Sequence, residues 1–145
     1  MATFGETNFT ADREATLSAY GTVERGGTDK CACATCRNFS EVREKVFPPA
    51  FLEFLRTLGV DPRKEAEAYH NARLSPGRHD YGGWFHFVGA LKENGRSYVD
   101  FGNGFTAYLC PTSAPGHKQI TQLASVQLEF HSDQVPWVLE EPEPD

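Results

Sequence analysis

The sequence predicts an α+β fold, an antiparallel sheet with two or three short helices packed on one face. Three observations carry this expectation. Apolar residues recur at helical spacing between Phe39 and Leu58. After Ser75 the chain becomes aromatic, glycine-punctuated and alternating, as strands are. The order is strand, helices, then a run of strands, with no regular alternation of β and α units, and that order favours antiparallel pairing. At 145 residues, with 39% hydrophobic and 12% aromatic content, the chain can bury a core. It divides into a flexible N-terminal arm (1–14), a single α+β domain (15–139) and a disordered acidic tail (140–145).

The arm is polar apart from Phe4 and Phe9, and reads as loosely held or as a short edge element. From Ala15 to Glu24 the residues alternate: Leu17, Ala19, Gly21 and Val23 point one way, Thr16, Ser18, Tyr20 and Thr22 the other. Period two predicts a half-buried strand, ended by the turn Arg25-Gly26-Gly27-Thr28-Asp29. Phe39, Val42 and Val46 then fall on one helical face, with Thr35 or Ser40 as N-cap. Pro48 and Pro49 start a second helix along Phe51, Phe54, Leu55 and Leu58, closed by Gly59. Asp61-Pro62 starts a third, reaching about Asn71. Strands follow at Tyr81–Gly89, Tyr98–Phe101 and Phe105–Cys110, with a hairpin signal at Lys92-Glu93-Asn94-Gly95. Residues 111–118 read as a loop. Ile120–His131 alternates again, and Val135–Leu139 is an apolar end that Pro136 confines to an edge.

The net charge of -6 argues against nucleic-acid binding by phosphate neutralisation and would suit a basic protein partner. No apolar run approaches the ~18–20 residues of a membrane span. The N-terminus lacks the basic and apolar regions of a secretory signal, so the expected setting is the cytoplasm, where thiols stay reduced.

The chemistry lies in Cys31-Ala32-Cys33-Ala34-Thr35-Cys36. Three of four cysteines within six residues bring three soft donors within reach of one cation, most plausibly Zn2+ in a structural role. Cys110, the only other thiol, is the leading fourth ligand and His86 the next; His70, His79, His117 and His131 are further candidates. Three thiolates also suit Cu(I). Cys33 and Cys36, near a helix start, could instead form a redox pair. A hydrolytic triad of Cys36, His79 and Asp80 can be drawn, though the spacing does not require it. Arg37 could neutralise the thiolates through N–H···S contacts. Buried inert cysteines, a core histidine at position 86 and an aromatic core along Tyr81–Phe87 are the plainer readings of the same residues.

Cys31-x-Cys33-x-x-Cys36-Arg37-Asn38-Phe39, then Phe54-Leu55-x-x-Leu58-Gly59-Val60-Asp61-Pro62 and Tyr81-Gly82-Gly83-Trp84-Phe85-His86-Phe87-Val88-Gly89, resemble a group of small bacterial proteins of unassigned function. The resemblance runs over roughly residues 30–139. It implies a bacterial, cytoplasmic protein and supplies no catalytic residues. A zinc-stabilised binding module with Cys31, Cys33, Cys36 and Cys110 as ligands is thus favoured over a thiol-redox or metal-assisted hydrolytic enzyme.

Overall fold

The computed structural model describes residues 2–92 and 98–145. The hairpin signal at Glu93–Gly95 lies outside the described residues. Those described form an α+β structure in which seven antiparallel strands make one sheet. They are β1 (Ala2–Phe4), β2 (Thr7–Ala11), β3 (Glu67–Ser75), β4 (Arg78–Leu91), β5 (Tyr98–Gly102), β6 (Phe105–Pro111) and β7 (Ser125–Pro136). The order is β1-β2-β4-β7-β6-β5, and β3 also pairs with β4. The long β4 organises the sheet. Its first half takes β3 and its last residues take β2 along one edge, while β7 runs along the other.

The helices are α1 (Arg13–Gly21), α2 (Ala34–Val46), α3 (Pro49–Leu58) and α4 (Lys118–Thr121), with a 3-10 turn at Thr28–Lys30. In α2 and α3 the helical apolar stripe buries Phe39, Val42, Phe51, Leu55 and Leu58. Pro49 occupies the first turn of α3, and Gly59 closes it at φ +82°. Phenylalanine rings join these helices to the sheet. Phe47 meets Phe130 at 5.2 Å, Phe51 meets Phe105 at 4.7 Å, and Phe105 stacks on Phe130 at 5.9 Å. Each fully buried ring contributes about 1.5–3 kcal/mol.

Three segments differ from expectation. The predicted strand at Ala15–Glu24 is helix α1. Asp12 caps it, accepting from the Ala15 amide at 3.0 Å. Its buried residues, Thr16 and Tyr20, stand four apart and reach β4: Tyr20 Oη donates to His86 O at 2.7 Å, and Val88 N donates to Thr16 Oγ1 at 3.1 Å. The small alternating side chains obscured this polar inner face. The third helix stops as a single turn, where the Asp61 carboxylate accepts from Arg63 N at 2.9 Å. Ala66 N then bonds Trp84 O, and the chain becomes β3, because its backbone groups find partners on β4. Ile120 belongs to α4, so β7 begins only at Ser125, and it continues through to Pro136. Residues 2–11 form the short edge hairpin β1–β2.

The segment ahead of the cysteines is pinned by a buried ionic network. Glu65 is wholly buried and Arg43 nearly so. Arg43 Nη1 lies 3.2 Å from both Glu65 oxygens, and its Nη2 lies 2.9 Å from Asp29 Oδ2. The Thr28 hydroxyl donates to Glu65 and accepts from Ser40 at 3.0 Å. Burial raises the Glu65 carboxyl above its ordinary range, against the pull of Arg43 and Thr28. Gly26 and Gly27 permit the close approach: a Cβ on Gly26 would stand 2.6 Å from Arg63 O and 2.9 Å from a Glu65 oxygen.

Arg43→Met should therefore cost about 3–5 kcal/mol in urea unfolding, because it leaves Glu65 buried without its cation. The double variant Arg43→Met/Glu65→Gln should recover part of that loss. A single-variant cost below about 1 kcal/mol would show that the pair is not a structural constraint.

Candidate metal and thiol centre

Cys31 follows the 3-10 turn, Cys33 occupies the N-cap of α2, and Cys36 lies in its first turn. The cap is thus Cys33, with φ -71° and ψ 157°, in place of Thr35 or Ser40. The extended Cys33 backbone and the helix behind it turn all three sulfurs toward one point. Their Sγ atoms lie within 4.8 Å of one another, and Cys31 and Cys33 are in hydrogen-bond contact at 3.1 Å. Three sulfurs around a tetrahedral zinc stand about 3.8 Å apart, given Zn–S bonds of about 2.3 Å. The cluster fits such an ion after shifts of under about an ångström.

Neighbouring side chains hold this geometry. Tyr81 Oη on β4 donates to Thr35 O at 2.7 Å. Arg37 Nε donates to Ala32 O at 2.9 Å, and its guanidinium pairs with Glu141. Arg37 thus braces the backbone between Cys31 and Cys33. Asn38 is fully buried and clamps the chain after β7: its Nδ2 donates to Pro136 O at 2.9 Å, and its Oδ1 accepts from Val138 N at 2.8 Å.

The thiols are electrostatically unequal. The Thr35 hydroxyl at 3.4 Å, the Cys31 thiol and the Cys36 amide lower Cys33 to about 6. The positive end of the α2 dipole acts in the same direction. Burial, together with hydrogen bonding to Cys31 and Cys33, pushes Cys36 up. Cys33 is exposed, while Cys31 and Cys36 are half-buried. The metal-free cluster therefore sets an exposed Cys33 thiol that ionises readily beside a Cys36 thiol that holds its proton.

The other sequence candidates lie elsewhere. Cys110 is buried on β6 opposite Gln127, with its Sγ 4.0 Å from Glu129 Oε2, and it is not among the mutually close sulfurs. His86 is buried on β4, where Nε2 meets Gln127 Oε1 at 3.2 Å and Nδ1 has no hydrogen-bond partner. His117 bonds Lys64 O and Glu65 O. The Cys36–His79–Asp80 triad does not assemble. Asp80 accepts from His131 Nε2 and Asn71 Nδ2, each at 2.8 Å, whereas His79 contacts His70 at 2.8 Å and Glu143 at 2.9 Å. Neighbouring residues on a strand point to opposite faces.

Sequence reasoning missed the His70–His79–Glu143 chain. Glu143 accepts from His79 Nε2, and His79 Nδ1 lies 2.8 Å from His70 Nε2. The His79 bond and the Gly77 amide hold the Glu143 carboxyl below its usual range. No local signal in the acidic tail marks Glu141 or Glu143 as partners of Arg37 and His79, because these contacts span 104 and 64 residues.

No known family model, curated protein or solved structure matches the chain. No helix among the described residues is long and apolar enough to cross a membrane.

Alkylation of Cys33 in metal-free protein should follow a thiolate titration centred near 6. Thr35→Val should move the midpoint upward, since the hydroxyl is the largest stabilising contact. Iodoacetamide rates against pH, assigned by peptide mass spectrometry, measure both. A wild-type midpoint at the ordinary value near ~8.5 would contradict this electrostatic assignment.

Proposed function

We propose that this chain is a small metal-binding protein in which a zinc ion held by Cys31, Cys33 and Cys36 stabilises a binding module. The observation that carries the reading is the convergence of the three Sγ atoms within 4.8 Å on a braced helix start. Bound zinc supplies the charge that keeps the thiols deprotonated. Cys36 would give up its proton on binding, and Cys33 is already poised as thiolate. Cys110 sits among other partners, so the fourth ligand would come from outside the cluster, as water or a donor from a bound partner. The proposal includes a bacterial, cytoplasmic setting, where thiols remain reduced, and a place among the small bacterial proteins that share the cysteine and aromatic motifs. It also takes α2 and α3 as the cover of one sheet face, whose rigidity a metal at the start of α2 would reinforce.

One observation favours a second reading. A low-pKa Cys33 paired with a protonated Cys36, two residues between them, is the asymmetry that thiol–disulfide exchange uses. There the Cys33 thiolate would attack a disulfide, and Cys36 would resolve the mixed disulfide.

Elemental analysis of purified, untagged protein, paired with a free-thiol count, separates the two. The metal reading expects about one zinc per chain with the cluster thiols protected. It also expects Cys33→Ser to lose the metal and to lower the melting temperature by on the order of 10 °C. No metal, with a Cys33–Cys36 disulfide that cycles reversibly, would replace it with the redox reading. Unchanged stability in Cys33→Ser would eliminate a structural metal.

A further inference from the structure

The sheet has a second face, turned away from Phe85, Phe105 and Phe130. Strand register aligns one row of side chains straight across it: Glu67 opposite Trp84, Trp84 opposite Glu129, Glu129 opposite Tyr108, and Tyr108 opposite Tyr98. At about 4.8 Å per strand, the row is about 19 Å long. It alternates carboxylate and aromatic before ending on the tyrosine pair, whose rings lie 4.7 Å apart.

Tyr69 extends the row. Its ring lies 6.1 Å from Trp84 and rests over Gly82, where a Cβ would stand 2.5 Å from the Tyr69 hydroxyl. The glycine lets this ring lie down on the sheet. Tyr69 is 43% exposed and Tyr98 65%, high values for large aromatic side chains. Burial, with the carboxylates of Glu129 and Asp80 nearby, raises the Tyr69 hydroxyl above its usual range.

The charge on this face is mainly negative. Asp80 and Asp100 occupy outward positions of the same strands, and Arg78, two residues before Asp80 on β4, shares their side. His131 is the one other titratable base there, and it is paired with Asp80. Lys30 stands only at the margin, in the cleft that Glu67 and Trp84 share with Gly116 and His117. Arg78, at the start of β4, is held by Asp133.

We infer that this face docks an extended, arginine- and lysine-bearing segment of a partner protein. Glu67 and Glu129 stand two strands apart, about 9.6 Å, with Asp80 and Asp100 on the same side, and carboxylates so separated suit two or more cations in series better than a single ammonium. The half-buried Trp84 between them, with the exposed Tyr69 beside it and Tyr98 at the end of the row, offers π-faces to guanidinium groups, an attraction worth more where water is partly excluded. The chain's net charge of -6 would steer such a segment toward the surface. The inference does not depend on a metal at the cysteines, since Tyr81, which braces that cluster, belongs to the other face.

The test is calorimetric titration of the full chain, near physiological ionic strength, with a peptide of about eight residues alternating arginine and serine. A citrulline analogue of the same length is the neutral control. Tyr69→Ala changes no charge and should weaken binding about tenfold, as should Glu129→Gln. Glu41→Gln, an equal charge change on the exposed side of α2, should leave the affinity within about twofold. Thermal melts establish that each variant is folded. Equal losses in Glu41→Gln and Glu129→Gln would reduce the effect to net charge and overturn the proposal. So would unchanged affinity in folded Tyr69→Ala, or equal binding of the citrulline peptide.

Discussion

Arg43 and Glu65 are buried against each other, and the geometry of the cysteine segment depends on that pair. An ionised pair removed from solvent gains little net stability, yet losing one partner is expensive. Its effect here is positional. Arg43 projects from α2, Glu65 precedes β3, and Thr28 and Asp29 belong to the turn before Cys31, so one guanidinium joins three parts of the chain. Gly26 and Gly27 allow the backbone close enough for these bonds to form. The loop before Cys31 thereby reaches the α2 N-terminus in a defined arrangement. Without it, three nearby cysteines would be only a flexible run of thiols.

The sequence revealed those parts of the fold whose signals are local. The stripe of α3, its proline start and the Gly59 end follow from helix geometry and φ preferences, and Tyr98–Cys110 follows from strand alternation. The failures share a cause. In Ala15–Glu24 a weakly apolar pattern fits both periods, and what decided for α1 was the Asp12 cap together with bonds from Thr16 and Tyr20 to β4, more than 60 residues away. Past Asp61 the expected helix does not form: Asp61 closes a single turn, and pairing with β4 overrides helix propensity.

The candidate site was legible to the same degree. Spacing alone brought Cys31, Cys33 and Cys36 together, because residues so close in sequence need only one turn to meet. A fourth ligand from a distant strand depends on which side of the sheet it faces. Cys110 alternates with the core residues Ala107 and Leu109 and so emerges beside Glu129. Nor could Arg37 be assigned locally: its role as a brace depends on Ala32 O and on Glu141.

Strand periodicity also separates two kinds of chemistry within one small molecule. On β4, the odd-numbered Tyr81 and Phe85 serve the core and brace the cysteine-bearing helix, while Gly82 and Trp84 serve the opposite surface. Tyr69 and Trp84 thus stand on the face opposite Tyr81, which braces the start of the cysteine-bearing helix. Two connections join the two sites: β4, where a Cβ on Gly83 would stand 2.5 Å from both Glu67 O and the Phe130 ring, and the turn before Cys31, where a Cβ on Gly27 would stand 2.3 Å from Ala66 O. The packing is tight at both places, so the thiol centre and the aromatic, acidic face sit on one close-packed frame, on opposite sides of β4.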